Sequence, residues 1–496
     1  MHKAYEPIIR SFFNQQSFIE PDIESFNNFI DRELQQIIDE NREVEPTIIP
    51  SNVDEFKIRF DKVRVVKPEI TEADGSKRKI FPIEARLRKI NYSAPCFVTV
   101  SAHINGVQRE SFETQLGNIP VMLKSKACHL HKLSREELVQ KGEDPDDPGG
   151  YFIINGTEKV LVKVEDLASN HLLVERKSIG PSRFVGKLFS EHGSYKIPHT
   201  IERLKDGIFT LSFTRLKRIP AVVVIKALGL TKDEDIMNSV SKERQFEEMI
   251  VNLINAAEIK NEEDAIDSLA KKAGITQTHE IRIERMSEIL DKYLLPHLGT
   301  SPKERILKAY NLCKYLKKFI IISRDEREVD DKDHYMNKRL KLSGDLLADL
   351  MRVNIKILIG DLLYNFQRIV KRGKFPTIKV IIREKLLTSR IHSSMATGNW
   401  VGRRKGISQR IQRLNFLDTI SHLQRVVSPL SSTQENFAAR ALHSTHFGRL
   451  CPIETPEGTN IGLKKNLALL SAVTSDGDDA EFLRILKNMG LKGVAR

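Results

Sequence analysis

Residues 439–470, ARALHSTHFGRLCPIETPEGTNIGLKKNLALL, constrain this chain more than any other stretch. Gly448, Pro452, Pro456, Gly458 and Gly462 punctuate it. Each proline locks φ near its ring value, and each glycine admits φ values that other residues avoid. Such a stretch cannot continue as one helix or one regular strand, so it reads as a series of fixed turns. Between the turns stand Arg440, His443, His446, Arg449, Glu454, Glu457, Asn460, Lys464 and Lys465. Two readings are open: a polar loop joining two strands, or a surface held in one shape to meet a partner.

Charge favours a partner. The chain carries a net charge of +13 over 496 residues, and that charge is unevenly placed. Residues 371–425 hold thirteen Lys or Arg against Glu384 and Asp418, a balance of +11. Residues 231–295 hold nine basic and fifteen acidic residues, a balance of −6. Concentrated positive charge points to a polyanion, of which nucleic acid is the commonest. A solvated face, or a patch that meets an acidic partner subunit, is the alternative.

Composition excludes several other classes. The length suggests two to four domains at roughly 150 residues each. Hydrophobic content of 40% is enough for ordinary buried cores. Cys96, Cys128, Cys313 and Cys451 are scattered and form no CxxC, which fits neither a disulfide framework nor a zinc ribbon. The opening MHKAYEPIIRSFF lacks the apolar core of a signal peptide. The most apolar short run, IPAVVVIKALGL, is interrupted by Lys226 and too short to span a bilayer. The expectation is a soluble, cytoplasmic protein without a membrane partner.

Periodicity gives a coarse layout. Phe12, Ile19, Phe26, Phe29, Leu34, Ile37 and Ile38 recur at helical spacing. FKIRFDKVRVVKPEI alternates as a strand does, ADGSKR reads as a hairpin turn, and CFVTVSAHINGV as a strand reaching an Asn-Gly turn. At 145–165, PDDPGG is a turn cluster, Tyr151–Ile154 a short strand, Asn155-Gly156 a hairpin and Val160–Val164 its return. Residues 170–226 read as strands through RIPAVVVIKALGL, and 231–320 as acidic helices. Leu347, Met351, Ile355, Leu358, Leu362, Phe366 and Ile369 form one helical stripe about 30 Å long.

Three clusters invite a metal or catalytic reading. Cys128, His129 and His131 lack ordinary zinc spacing, and His443, His446 and Cys451 read as hydrogen-bonding residues of a rigid turn. Asp330, Asp331 and Asp333 could gather Mg²⁺ for phosphodiester chemistry. Neighbouring carboxylates project differently, however, and Lys332 and Lys338 lie close by, so a solvated linker is preferred. The chain has no P-loop.

The basic region carries the binding chemistry. Arg383, Lys385 and Arg390 follow on a predicted helix, ATGNW breaks the pattern, and 401–406 exposes Arg403, Arg404 and Lys405. Ile407, Ile411, Leu414, Leu417 and Ile420 predict a helix that Ser428-Pro429 ends, with Gln409, Arg410 and Arg413 on or beside its polar side and His422 and Arg425 at its end. A guanidinium forks onto two phosphate oxygens, and Gln can meet a ribose or base edge. Aromatics are scarce, Trp400 and Phe416 only, so a cradle for backbone fits better than a stacking platform.

CPIETPEG followed by GLKKNLAL resembles a signature of the second-largest subunit of multisubunit DNA-dependent RNA polymerases, β in bacteria. IPVMLKSKACHLH, GGYFIINGTEKVLV and DKDH…KRL…G resemble the same family, and ATGNW, GISQRIQRLNFLDTISHLQRV and LHSTHFGRLCPIETPEG resemble its fork in unbroken order. The resemblance implies an α+β multidomain fold: protrusion over 1–172, lobe over 173–340, a second protrusion part with the long helix over 341–392, fork over 393–475, and a tail from 476 that starts the external region. It implies a role in DNA-templated RNA synthesis, holding DNA and the RNA–DNA hybrid; a stand-alone nucleic-acid-binding architectural protein is the alternative.

By resemblance, Arg403–Lys405 match a loop near the upstream end of the hybrid, shorter here than in the family. Gln409, Arg410 and Arg413 match positions near nascent RNA. His422 and Arg425 match the wall of the rifamycin pocket of bacterial relatives, though several pocket residues differ here. Residues 428–436 match a loop facing downstream DNA, and Glu454 and Asn460 fall near the catalytic centre. Arg440, Lys464 and Lys465 complete the expected contact set. The family's catalytic Mg²⁺ sits on the largest subunit, so no metal and no catalytic residue are expected here. The match spans only the N-terminal half of a β-like subunit, as in archaea where that half is called B″. Expected partners are the other half (B′), largest-subunit chains, small polymerase subunits, template DNA and nascent RNA.

Overall fold

In a computed structural model, the described residues are 6–7, 11, 19–49, 53–177, 180, 182–193, 195–242, 246–374, 377–468, 471, 473–474 and 479–491. Phe12 of the expected N-terminal helix and Leu469–Leu470 of the punctuated segment lie outside them. The chain forms two units: one from Met1–Asp166 with Leu340–Arg496, the other Leu167–Arg339.

The first unit is built on an antiparallel sheet ordered Glu43–Val44, Phe56–Val65, Ser93–Ile104, Val107–Pro120. Its strands alternate buried and open positions, as the sequence alternation requires. The turn between the two longest strands has Asn105 and Gly106 at φ of 48° and 77°, the paired left-handed geometry of a tight hairpin. Behind the sheet lies the helix Ser343–Val370, which buries Leu347, Met351, Ile355, Leu358, Leu362 and Phe366. Phe366 stacks on Phe56 with centroids 4.8 Å apart. Helix Glu20–Asn28 begins with Pro21 in its first turn and runs through a π-helical stretch into Leu34–Asp39. The Trp400 indole N–H donates to the Leu346 carbonyl at 2.8 Å and ties the start of the basic region to the long helix.

Among the described residues three short sheets complete this unit, one of them the hairpin Glu69–Thr71 with Lys77–Lys79. Thr157–Leu161 lies between Phe152–Ile154 and Ser408–Arg410. After Val162 the same chain enters a second sheet, where Lys163–Leu167 runs parallel to Arg425–Val427, which pairs antiparallel with Lys464–Asn466. The expected return strand at 160–164 is therefore split between two sheets. The helix expected over 407–420 is corrected as well. Ser408–Arg410 is a strand, and only Phe416–Leu423 is helical. Leu414 and Leu417, counted on the apolar stripe, are 88% and 67% exposed. Pairing with Thr157–Leu161 claims the backbone that a local helix would have used.

The second unit is an antiparallel meander of five strands, Leu172–Arg176, Phe184–His192, Tyr195–Arg203, Phe209–Phe213 and Leu216–Pro220, in sequential order. Helices follow, the longest being Arg305–Ser323. Here the strand expected through AVVVIKALGL is overturned. Ala221–Ala227 is a helix with every residue buried. A helix enclosed on all sides needs no polar face, so a β-branched run reads the same in either state. Lys226 is accommodated by donating to the Ala256 and Ile259 carbonyls at 3.1 and 3.0 Å.

Two glycines of the long helix make opposite predictions. A Cβ on Gly344 would lie 2.1 Å from the Ser25 carbonyl oxygen, whereas one on Gly360 meets nothing within 4 Å. Gly344→Ala should destabilise the protein by about 1–3 kcal/mol through forced separation of two helix backbones. Gly360→Ala should stabilise it by about 0.5–1 kcal/mol, because glycine is costly in a helix interior. Urea unfolding midpoints of the two variants check both signs.

Candidate nucleic-acid interface

The basic loop at 401–406 is closed at its base by the Trp400 N–H to the Arg404 carbonyl, 2.9 Å, and the Ile407 N–H to the Gly398 carbonyl, 3.2 Å. Gly398, Gly402 and Gly406 all have φ between 72° and 77°. At Gly398 a side chain is excluded outright, since its Cβ would approach the Ser408 carbonyl to 2.7 Å. Arg403 and Lys405 are exposed, and Arg403 itself takes a φ of 61°. Arg404 turns inward and pairs with buried Asp166. The three cations expected together are thus divided: two outward, one paired.

Gln409 and Arg410 stand on a strand, not on one helical turn, so they project to opposite faces. Arg410 is exposed. Gln409 is held by its amide N–H to the Gly406 carbonyl, 2.9 Å, and by its oxygen to His422 Nε2, 3.1 Å. Arg413 lies in the following loop. It pairs with Glu158 and with Asp147 at 2.9 Å, and covers the Tyr151 ring at 5.2 Å. The Tyr151 hydroxyl donates to Asp147 and accepts from Arg86, which pairs with Glu143 and Glu158. Arg413 therefore belongs to a network of alternating charges.

His422 is 1% exposed. Its Nδ1 accepts the Gln412 N–H at 3.1 Å, which leaves the proton on Nε2 to donate to Gln409. Burial pushes its pKa down to about 4, and the Arg425 charge pushes the same way. Arg425 is half-buried and reaches the Gln412 side chain at 3.4 Å.

In the punctuated segment, Arg440 donates to four carbonyls: Thr459 at 2.7 Å, Ile461 at 3.0 Å, Ser432 at 2.8 Å and Gln434 at 3.2 Å. Its own carbonyl passes 2.2 Å from where a Cβ on Gly462 would sit, so only glycine fits there. The Gly462 N–H donates to Thr455, whose hydroxyl donates to the Lys464 carbonyl. The Ser421 hydroxyl donates to exposed Glu454. Asn460 and Lys464 are partly exposed. Lys465 is 6% exposed and pairs with Glu165 at 2.9 and 3.1 Å.

The clusters weighed as metal sites point to separate partners. Cys128 meets the Tyr92 hydroxyl, His129 the Pro68 carbonyl and His131 the Lys124 carbonyl. His443 accepts from the Thr445 N–H. Asp330 holds Lys318 and the Val174 N–H, while Asp333 pairs with Lys338. Among the described residues no group of His, Cys, Asp or Glu could hold a metal ion, and no helix is long and apolar enough to cross a membrane.

Sequence reasoning missed the buried partners: Asp22, Lys163, Glu165 and Asp166. For Lys163, Glu165 and Asp166 the signal was present as charges inside KVLVKVEDL, an otherwise apolar run. Charged residues in a buried strand require partners.

His422 makes a pH prediction. Its folded pKa, about 4, lies below the usual 6.5, so the folded state favours the neutral ring. The stabilisation is complete above pH 6.5 and is lost as pH falls towards 4, amounting to ~3 kcal/mol at most. His422→Asn should flatten the decline in unfolding free energy across that window; an unchanged slope would clear His422 of it.

Comparison with known proteins places the chain. Residues 17–389 match the family model for the RNA polymerase beta subunit, and 409–473 match RNA polymerase Rpb2, domain 3. DNA-directed RNA polymerase subunit Rpo2 of Saccharolobus solfataricus is 43% identical over 98% of this chain, which spans 43% of that relative's length. Subunit Rpo2N of Methanocaldococcus jannaschii is 41% identical, with 98% of both chains covered, and that of Halobacterium salinarum is 40% identical over 98% of this chain and 95% of the relative. With one family model matching well over half of its residues and these relatives aligned over nearly its whole length, the chain belongs to the RNA polymerase beta subunit family.

Proposed function

We propose that this chain acts within a multisubunit, DNA-directed RNA polymerase, where it holds DNA and the RNA–DNA hybrid beside a catalytic centre on another subunit. The carrying observation is the loop, closed at its base by hydrogen bonds, that turns Arg403 and Lys405 to solvent, in a chain related along nearly its whole length to polymerase subunits. Arg410, with Arg425 and Lys464 more partly, adds positive charge. Such a surface grips backbone irrespective of sequence, as a general polymerase requires.

Domain assignment follows the same reading. The unit Leu167–Arg339 corresponds to the lobe expected over 173–340, and the long helix to the second protrusion part. Residues 393–475 are the fork, which takes in the basic loop and the punctuated segment. The reaction is nucleotidyl transfer from NTPs to an RNA 3′ end. The Mg²⁺ belongs to the largest subunit, and the partners are that subunit, the B′ half and the small subunits, in the cytoplasm. Against independent phosphodiesterase chemistry, Asp330 and Asp333 are spent on lysines in separate contacts.

If the assembled enzyme neutralises about five phosphates through this surface, binding to a hybrid oligonucleotide should fall with salt at a log–log slope of roughly −4 to −5. Arg403→Ala/Lys405→Ala should flatten that slope by about 2. An unchanged slope in a folded variant removes the loop from the contact surface.

A further inference from the structure

The nearest neighbours of the outward cations in sequence are inward cations, and both inward cations end on one strand. Lys163–Leu167 carries Lys163, Glu165 and Asp166, exposed by only 1%, 3% and 7%. Glu165 holds Lys465, which is next to Lys464. Asp166 holds Arg404, which lies between Arg403 and Lys405. Lys163 donates to the Leu423 carbonyl at 2.7 Å, at the end of the helix that carries His422, and also pairs with Asp22. Backbone register agrees: Lys163 is level with Val426, and Val426 with Lys465. Lys163, Glu165 and Lys465 thus share one face of the sheet, while Asp166 and Lys464 belong to the other.

We infer that this strand anchors the candidate interface, with Glu165 and Asp166 as positioning residues. They draw Lys465 and Arg404 inward and so fix where Lys464, Arg403 and Lys405 meet the nucleic-acid backbone. Buried ion pairs rarely add much net stability, but they specify register, because an unpaired buried charge is strongly disfavoured. Shifting strand Lys464–Asn466 by one residue would take Lys465 from Glu165 and turn it to the other face. Loosening Asp166 would free the middle of the basic loop. Lys465 and Arg404, placed in the contact set by sequence, act on this account through their neighbours. The inference rests on the nucleic-acid reading above, but its first test does not.

That test is hydrogen exchange on the assembled complex without nucleic acid. Asp166→Asn should speed amide exchange in 401–406, and Glu165→Gln in 464–466, with the long helix unaffected. Exchange unchanged at both segments overturns the anchoring. The second test is binding of a hybrid oligonucleotide, where the two accounts differ in sign. Each substitution removes one negative charge, so general electrostatics predicts tighter binding to a polyanion. Anchoring predicts the reverse: about tenfold weaker binding and a salt slope flatter by about 1. Tighter binding by both variants overturns the inference. Glu165→Gln/Lys465→Met leaves the net charge unchanged and no lone buried charge, which keeps the test usable if a single variant does not fold. It should keep the parental slope; a flatter slope would show Lys465 itself on phosphate and overturn its inward role. Faster exchange in the single variants combined with no effect of Arg403→Ala/Lys405→Ala on binding would support the anchor and sink the contact surface instead.

Discussion

The first unit depends on the close approach of two helices that are far apart in sequence. Glu20–Asn28 and Ser343–Val370 come so near that the Ser25 carbonyl occupies the space where a side chain on residue 344 would lie. The Ser343 hydroxyl donates to the Asp22 carbonyl, and the Gly344 N–H donates to the Ser25 hydroxyl. This contact joins the chain before residue 167 to the chain after residue 339. Across the apolar face of the sheet, which buries Phe56, Ile58, Phe60, Val98 and Val100, the long helix joins Leu34–Asp39 of the first stretch in one core.

The same junction reaches the candidate interface through Asp22. Its carboxylate meets Lys163 in the interior; burial raises the Asp22 pKa, and the Lys163 charge opposes that rise. From Lys163 the strand continues through Glu165 and Asp166 to the cations of the basic loop and of the punctuated segment. Polar interactions thus join apolar packing, through Trp400, Ile407, Ile411 and Leu423, in carrying position from the core to the surface. Hydrophobic contacts are weakly directional, whereas a buried charge accepts few alternative partners, so this is an economical way to hold turn-rich segments in register. Arg440 does comparable work without a carboxylate, gathering four carbonyls from two loops.

Strong local signals were legible in the sequence. The helical stripe from Leu347 became a helix with those residues buried, and the Asn-Gly pairs at 105–106 and 155–156 became tight turns. Errors fell where a local pattern fitted two states. AVVVIKA satisfied a strand but is a helix, because surrounding helices and the meander enclose it completely. Residues 407–420 satisfied a helix, but a strand far earlier in the chain claims 408–410. Among the site residues, the exposure of Arg403, Lys405 and Arg410 fits their reading as contacts, whereas Arg404, Arg413, Arg440 and Lys465 are engaged with the protein's own groups.

By itself the sequence determined the charge separation, the turn positions and the family, since these are properties of residue type, spacing and contiguous motif. Tertiary structure alone decided which cations face solvent and which are spent inside. Neighbours such as Lys464 and Lys465 are chemically identical and adjacent, so no local rule separates them. Only the pairing of Lys464–Asn466 with Arg425–Val427, beside the strand that carries Glu165, gives one lysine a buried carboxylate and leaves the other at the surface.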